Sequence, residues 1–170
     1  MINFLNKLTN RTNNLSLVAK GIKDLSKNIP TKKIFDSINT FSTTSEIRYV
    51  GGCIRKIIKK EKIDDIDLAT NLNPHQVCEA LKKNNISFYK TGIEHGTITA
   101  IIDNYSFEIT SLREDIQTDG RHADVKFSND WIKDASRRDF TINSIFSDVE
   151  GNLFDPFNGK KDLEKGIVKF

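Results

Sequence analysis

Apolar residues along this chain keep two rhythms, and each change of rhythm marks a new element. Ile34, Phe35, Ile38 and Phe41 recur at helical spacing and predict a helix over 31–41 that lays one face on a sheet. Glu46 to Val50 reads as a strand running into Gly51-Gly52, and Ile54, Ile57 and Ile58 predict a short helix directly after it. A second strand follows, carrying Asp65 and Asp67. Side chains alternate along a strand, so the two acids project one way while Ile66 and Leu68 project into a core. Asn73-Pro74-His75-Gln76 is a helix start, with Asn as cap, Pro at the first helical position and Gln three residues after the cap. Val77, Ala80 and Leu81 form its buried face and Asn84-Asn85 its end. Two alternating runs, Gly96 to Ile102 and Tyr105 to Leu112, are separated by Asp103-Asn104 alone and predict an antiparallel hairpin. In its second strand Phe107 and Ile109 face the core, so Glu108 shares the opposite side with Ser106 and Thr110.

Other stretches are less regular. Residues 1–30 are rich in Asn and Lys, poor in acids and only loosely apolar, which suggests a peripheral helix or loose arm. A basic, acid-poor composition also suits an organelle-targeting presequence, but Arg is scarce, so this is the second reading. Residues 114–130 are polar, turn at Asp119-Gly120 and show no period before Val125, as in a long functional loop. Helical spacing returns over 131–146 through Ile132, Ala135, Ile142, Ile145 and Phe146, interrupted by Arg137-Arg138-Asp139. A turn-rich stretch over 151–159, a short helix over 160–165 and the start of a strand over 167–170 complete the chain. Ending on apolar residues without a polar stop leads us to expect a fragment of something longer.

The 170 residues suit one buried domain, expected over 31–170 with 1–30 as an extension. The balance of 26 basic and 23 acidic residues gives +3, which permits contact with a polyanion without demanding it. Only Cys53 and Cys78 are present, without CxxC or Cys/His pairing, which suggests neither a zinc site nor a disulfide framework. A reducing, cytoplasmic setting is the expectation. No apolar run approaches the roughly 18 residues needed to span a bilayer, so no membrane partner is expected.

Gly51-Gly52 between a strand and a helix lets backbone amides approach an anion, and the helix start adds partial positive charge. Arg55, in the first turn, can add a charge-assisted contact. Two neighbouring carboxylates on one edge repel each other, and a cation is the usual remedy. An anion cradle beside a divalent-metal site describes a nucleoside triphosphate with Mg2+.

Val50-Gly-Gly-Cys-Ile-Arg55, Asp65-Ile-Asp-Leu-Ala-Thr70, Phe107-Glu-Ile-Thr-Ser-Leu-Arg113, Arg113-Glu-Asp-x-x-x-Asp-Gly-Arg121 and Asp134-Ala-Ser-Arg-Arg-Asp-Phe-Thr-Ile-Asn143 together resemble a known family. It is the head domain of the bacterial-type (class II) CCA-adding tRNA nucleotidyltransferases and their poly(A) polymerase relatives. The resemblance runs from about Thr31 to the end, with the motifs in family order. It implies an α/β (α+β) fold of the polymerase-beta-like kind, a small mixed sheet flanked by helices. It also implies template-independent addition of CTP and ATP to the tRNA 3′ end. Asp65 and Asp67 would hold Mg2+ in a two-metal scheme and Glu108 would be the third catalytic carboxylate. Gly51, Gly52 and Arg55 would cradle the triphosphate, while Arg138 and Asp139 would contact the nucleotide's ribose and phosphates. The loop from Glu114 would help arrange the site, and Arg121 and Lys126 would there either meet RNA phosphates or only keep the loop soluble.

The chain departs from the family in two ways. Lys56 stands where the family usually has Asp, and Lys59-Lys60 replaces a Leu-Gly turn. The family's base-selecting Glu-Asp-x-x-Arg and its tRNA-gripping helices lie beyond the last residue here. Poly(A) addition, or a nucleotide- or RNA-binding head that does not turn over alone, therefore stay open as alternatives.

Overall fold

The computed structural model of the protein describes residues 17–116 and 124–170. A helix, α1, covers 17–28 and is followed by α2 (Thr31–Asn39), β1 (Ile47–Val50), α3 (Gly52–Lys59), β2 (Asp67–Thr70) and α4 (Pro74–Lys83). Next come β3 (Ser87–Gly92), β4 (Thr97–Ile102), β5 (Tyr105–Ser111), β6 (Arg113–Ile116) and β7 (Asp124–Phe127). The rest is α5 (Trp131–Ser136), β8 (Phe146–Ser147), β9 (Leu153–Phe154) and α6 (Gly159–Glu164).

Seven strands form one mixed sheet in the order β3-β4-β5-β2-β1-β8-β9, and β6 and β7 pair as a separate ribbon. Every pairing in the large sheet is antiparallel except β2 with β5, where Asp67 lies opposite Glu108. The predicted hairpin is β4–β5, turning at Asp103 with φ +53°. The predicted cap is also present: the Asn73 side chain accepts from the Gln76 amide, and the Gln76 side chain answers to the Asn73 amide.

One face of the sheet carries the main core. Ile66, Leu68, Ile98, Ala100, Phe107 and Ile109 meet Ile34, Phe35 and Ile38 of α2 and Val77 and Leu81 of α4. Tyr49 is fully buried among them, its ring 4.7 Å from that of Phe35 and its hydroxyl donating to Thr31 Oγ1 at 2.9 Å. Burying each such large side chain contributes about 1.5–3 kcal/mol. The segment read as a peripheral helix or loose arm contributes here too, because α1 sends Val18, Ile22 and Leu25 into this core. Residues 1–16 lie outside the described residues. Among the described residues the opposite face is covered at one end, where Val50, Ala69, Leu112, Ala135 and Phe146 pack together beneath Trp131.

Three expectations are corrected. Helical spacing over 131–146 does not give one helix: α5 stops at Ser136, a 3-10 turn covers Thr141–Asn143, and Phe146 enters the sheet opposite Val50. Ile145 and Phe146 are neighbours buried in clusters on opposite sides of the sheet, an alternation only extended chain can satisfy. The expected loop over 114–130 begins and ends as β6 and β7; Asp119-Gly120 and Arg121 fall outside the described residues. Residues 167–170 form no strand.

Candidate active site

The site lies where β1 passes into α3. Gly51 has φ +68°, a left-handed value that a side chain would strain, and it caps α3 without a side-chain hydrogen bond. Its own N–H donates to Ile145 O at 3.1 Å, which ties the turn to the strand entering from α5. The early amides of a helix have no partner within the helix, and here no side chain caps them. A Cβ added to Gly52 would meet nothing within 4 Å, so this wall of the turn is open.

A cleft of about 570 Å³ opens in front of it, lined by Gly51, Gly52, Arg55, Asp67, Arg138 and Asp139, and also by Arg113, Arg137 and Asn143. Its arginines are held by partners in the protein. Arg55 donates to Asn143 Oδ1 at 2.6 Å. Asp134, only 1 % exposed, accepts from Arg137 Nε at 2.9 Å and from Arg138 Nη2 at 2.9 Å and Nε at 3.2 Å. The same carboxylate accepts the backbone N–H of Arg113 at 3.2 Å. One buried charge thus fixes two guanidiniums and the start of β6.

Asp67 belongs to a second cleft as well, of about 390 Å³, with Asp65, Ser106 and Glu108 on its walls. β2 begins at Asp67, so Asp65 sits in the loop just before the strand rather than within it. Ile66 and Leu68 still turn into the core, and both acids still border one cleft. The parallel register sets Glu108 beside Asp67, on the polar side anticipated for it.

Burial pushes the Asp67 carboxyl above its ordinary range and the charge of Asp65 adds to this, while Arg138 and Lys56 pull in the opposite direction. Beneath it, burial and then the Asp67 charge push the Cys53 thiol up to about 12, so this cysteine is an inert packing residue. Among the described residues no side-chain hydrogen bond holds the carboxylates of Asp65, Asp67 or Glu108, and no three His, Cys, Asp or Glu form a ready metal cluster. The acids do fit a hard cation that takes its other ligands from phosphate and water, as Mg2+ commonly does with one or two carboxylates.

The structure therefore brings Gly51, Gly52, Arg55, Arg138 and Asp139 together in one cleft and Asp65, Asp67 and Glu108 in another, with Asp67 shared. Sequence reading gave no role to Asp134 or Asn143. Asp134 is signalled by its spacing, three and four residues before Arg137 and Arg138, where side chains meet on a helical turn. Asn143 lies 88 residues from Arg55, and no local pattern announces that contact.

Residues 47–169 match the Poly A polymerase head domain family. The chain belongs to that family of nucleotidyltransferase heads. It is 48% identical over 126 residues to human CCA tRNA nucleotidyltransferase 1, mitochondrial, covering 74% of this chain and 29% of that one. It is 40% identical over 126 residues to a CCA-adding enzyme of Lactobacillus johnsonii, covering 73% and 31%. The structure of the Bacillus stearothermophilus CCA-adding enzyme in complex with CTP aligns with a TM-score of 0.70 and 26% identity, over 82% of this chain and 33% of that one. The chain spans about a third of the length of the curated relatives it matches. The mixed sheet flanked by helices is the polymerase-beta-like architecture of those heads. No helix among the described residues is long and apolar enough to cross a membrane.

Proposed function

We propose that this chain is the catalytic head of an enzyme that adds CTP and ATP to the 3′ end of tRNA without a template. The observation that carries the reading is the position of Asp67, which borders both the arginine-lined cleft and the acid-lined one. A transferase must bring donor and acceptor together, and Asp67 stands where the two clefts meet.

Arg55 and Arg138 bind the triphosphate, helped by the open amide wall at Gly52, and Asp139 at the cleft mouth meets the ribose. Asp65 and Asp67 are the protein ligands for Mg2+. When bound, that ion supplies the positive charge that favours the hydroxyl's ionised form and steadies the phosphates, the chemistry of the two-metal scheme. Glu108 stands one strand over, about 4.8 Å across the parallel pair, and orients the acceptor hydroxyl. We count α1 as part of the head, because its apolar residues fill the core. The human relative's name places that protein in mitochondria. Against that stands the cytoplasmic expectation from the sequence, and a reporter fused to residues 1–30 separates the two.

The direct test is nucleotide incorporation into tRNA lacking its terminal CCA, using the protein that carries this head. Two CMP and one AMP per tRNA support the reading. A run of AMP alone indicates poly(A) addition. Incorporation that survives replacement of both Asp65 and Asp67 by Ala contradicts the role given to these acids.

A further inference from the structure

The helix that carries Arg55 ends in an unusual way. Lys60 closes α3 with φ +60° and ψ +34°, the left-handed conformation that a glycine adopts with the least steric strain. The closure itself is regular: the Lys60 N–H donates to Ile57 O at 3.1 Å and the Glu61 N–H to Lys56 O at 2.8 Å. A lysine therefore occupies a position where its own Cβ works against the backbone. Packing does not account for it. Lys59, Lys60 and Lys62 are exposed, and among the described residues none of the three has an ion-pair partner.

One turn earlier Lys56 is tied down. It pairs with Asp64, and the same Asp64 oxygen accepts the backbone N–H of Asp65 at 3.1 Å. From Lys59 and Lys60 the chain runs on through Lys62 to Asp64 and Asp65. The lysine turn is thereby linked to the loop that delivers Asp65.

The two clefts differ in what they offer an anion. Arg55, Arg113, Arg137 and Arg138 line the first, whereas Asp65, Asp67, Ser106 and Glu108 line the second without a cation among them. A triphosphate fits the first. An RNA strand presenting its terminal hydroxyl to the second brings its last phosphates to an acidic cleft, and the lysines nearest to Asp65 in the chain are Lys62, Lys60 and Lys59.

We propose that Lys59, Lys60 and Lys62 form a contact for the backbone phosphates of the acceptor RNA strand. The inference rests on the nucleotidyltransferase reading of the two clefts. It explains why a strained lysine stands at the end of α3.

The test measures binding of a fluorescein-labelled single-stranded RNA by anisotropy over about 50–200 mM salt. Wild-type chain is compared with a Lys59→Ala, Lys60→Gly, Lys62→Ala variant, and Mg-CTP binding is followed in parallel. Single-strand contacts contribute about 0.7 each to the slope of log affinity against log salt, so the variant loses about 2. Its RNA affinity falls by about tenfold near 0.15 M salt and its Mg-CTP affinity holds. Lys60→Gly alone raises Tm by about 2–4 °C while weakening RNA binding, a gain in stability with a loss in function. An unchanged salt slope in the triple variant overturns the proposal. So does a fall in Tm for Lys60→Gly, or an equal loss of affinity for heparin. A wild-type chain that fails to bind Mg-CTP yet shows the lysine-dependent slope sinks the nucleotidyltransferase reading and keeps the RNA contact.

Discussion

The two walls of the site are built on opposite principles. On the arginine wall each candidate cation but Arg113 has a named side-chain partner within the protein: Asp134 holds Arg137 and Arg138, and Asn143 holds Arg55. On the acid wall Asp65, Asp67 and Glu108 have no such side-chain support among the described residues. One wall is organised before any ligand arrives, and the other carries repulsion that a cation would relieve. On the proposed reading the contrast suits a site whose anionic substrate and metal bind together, because fixed arginines would pre-orient phosphates that could then complete the coordination of the metal.

This contrast can be broken from the rigid side first. Asp134→Ala leaves two guanidiniums without their buried counter-charge and should cost about 3 kcal/mol, the lower end of the range for breaking a buried pair because both guanidiniums reach solvent. Urea denaturation measures it, and a cost under about 0.5 kcal/mol, typical of an ordinary surface change, would show that Asp134 organises nothing. A smaller effect is expected from Asn143→Ala. Freed from its tether, Arg55 should bind nucleotide about three- to tenfold more weakly, the equivalent of one ordinary hydrogen bond. Calorimetric titration with CTP in the absence of metal reads this directly.

The acid wall predicts a change of opposite sign. Asp67 has a carboxyl pKa raised above its ordinary value, so the folded state favours its protonated form. The stability this provides is full below the ordinary carboxylate range and is lost as pH rises through the raised value. At neutral pH the charged Asp67 therefore opposes folding, and Asp67→Asn should raise Tm slightly at pH 7 with the gain vanishing near pH 3. A Tm that falls at pH 7 would mean that the carboxylate is already compensated within the protein.

Much of this architecture was readable because its causes are local. The cap at Asn73, the two-residue turn of β4–β5 and the alternation through Ile66, Asp67 and Leu68 each depend on residues within a few positions. Long-range decisions were less legible. Ile142, Ile145 and Phe146 keep helical spacing, yet the Gly51 N–H captures the Ile145 carbonyl and Phe146 pairs with Val50, almost a hundred residues earlier. Only the meeting of β1 with β8 explains why the helix stops. Likewise the composition of α1 suits a peripheral helix or loose arm; it is a helix, and three of its apolar residues find the core. The strand β3 has a mostly exposed, irregular pattern and owes its existence to pairing with β4.

On this reading the arginine cleft and the acid pair form one binding site for a metal-bound triphosphate. Its most direct measurement is the affinity of the chain for CTP with and without Mg2+, repeated with Asp65 and Asp67 both replaced by Ala. We predict that Mg2+ strengthens binding by about a hundredfold, roughly 2.7 kcal/mol, and that the double replacement removes this gain while leaving the weaker, arginine-dependent binding. Equal dependence on Mg2+ in both proteins would mean that Asp65 and Asp67 do not hold the ion.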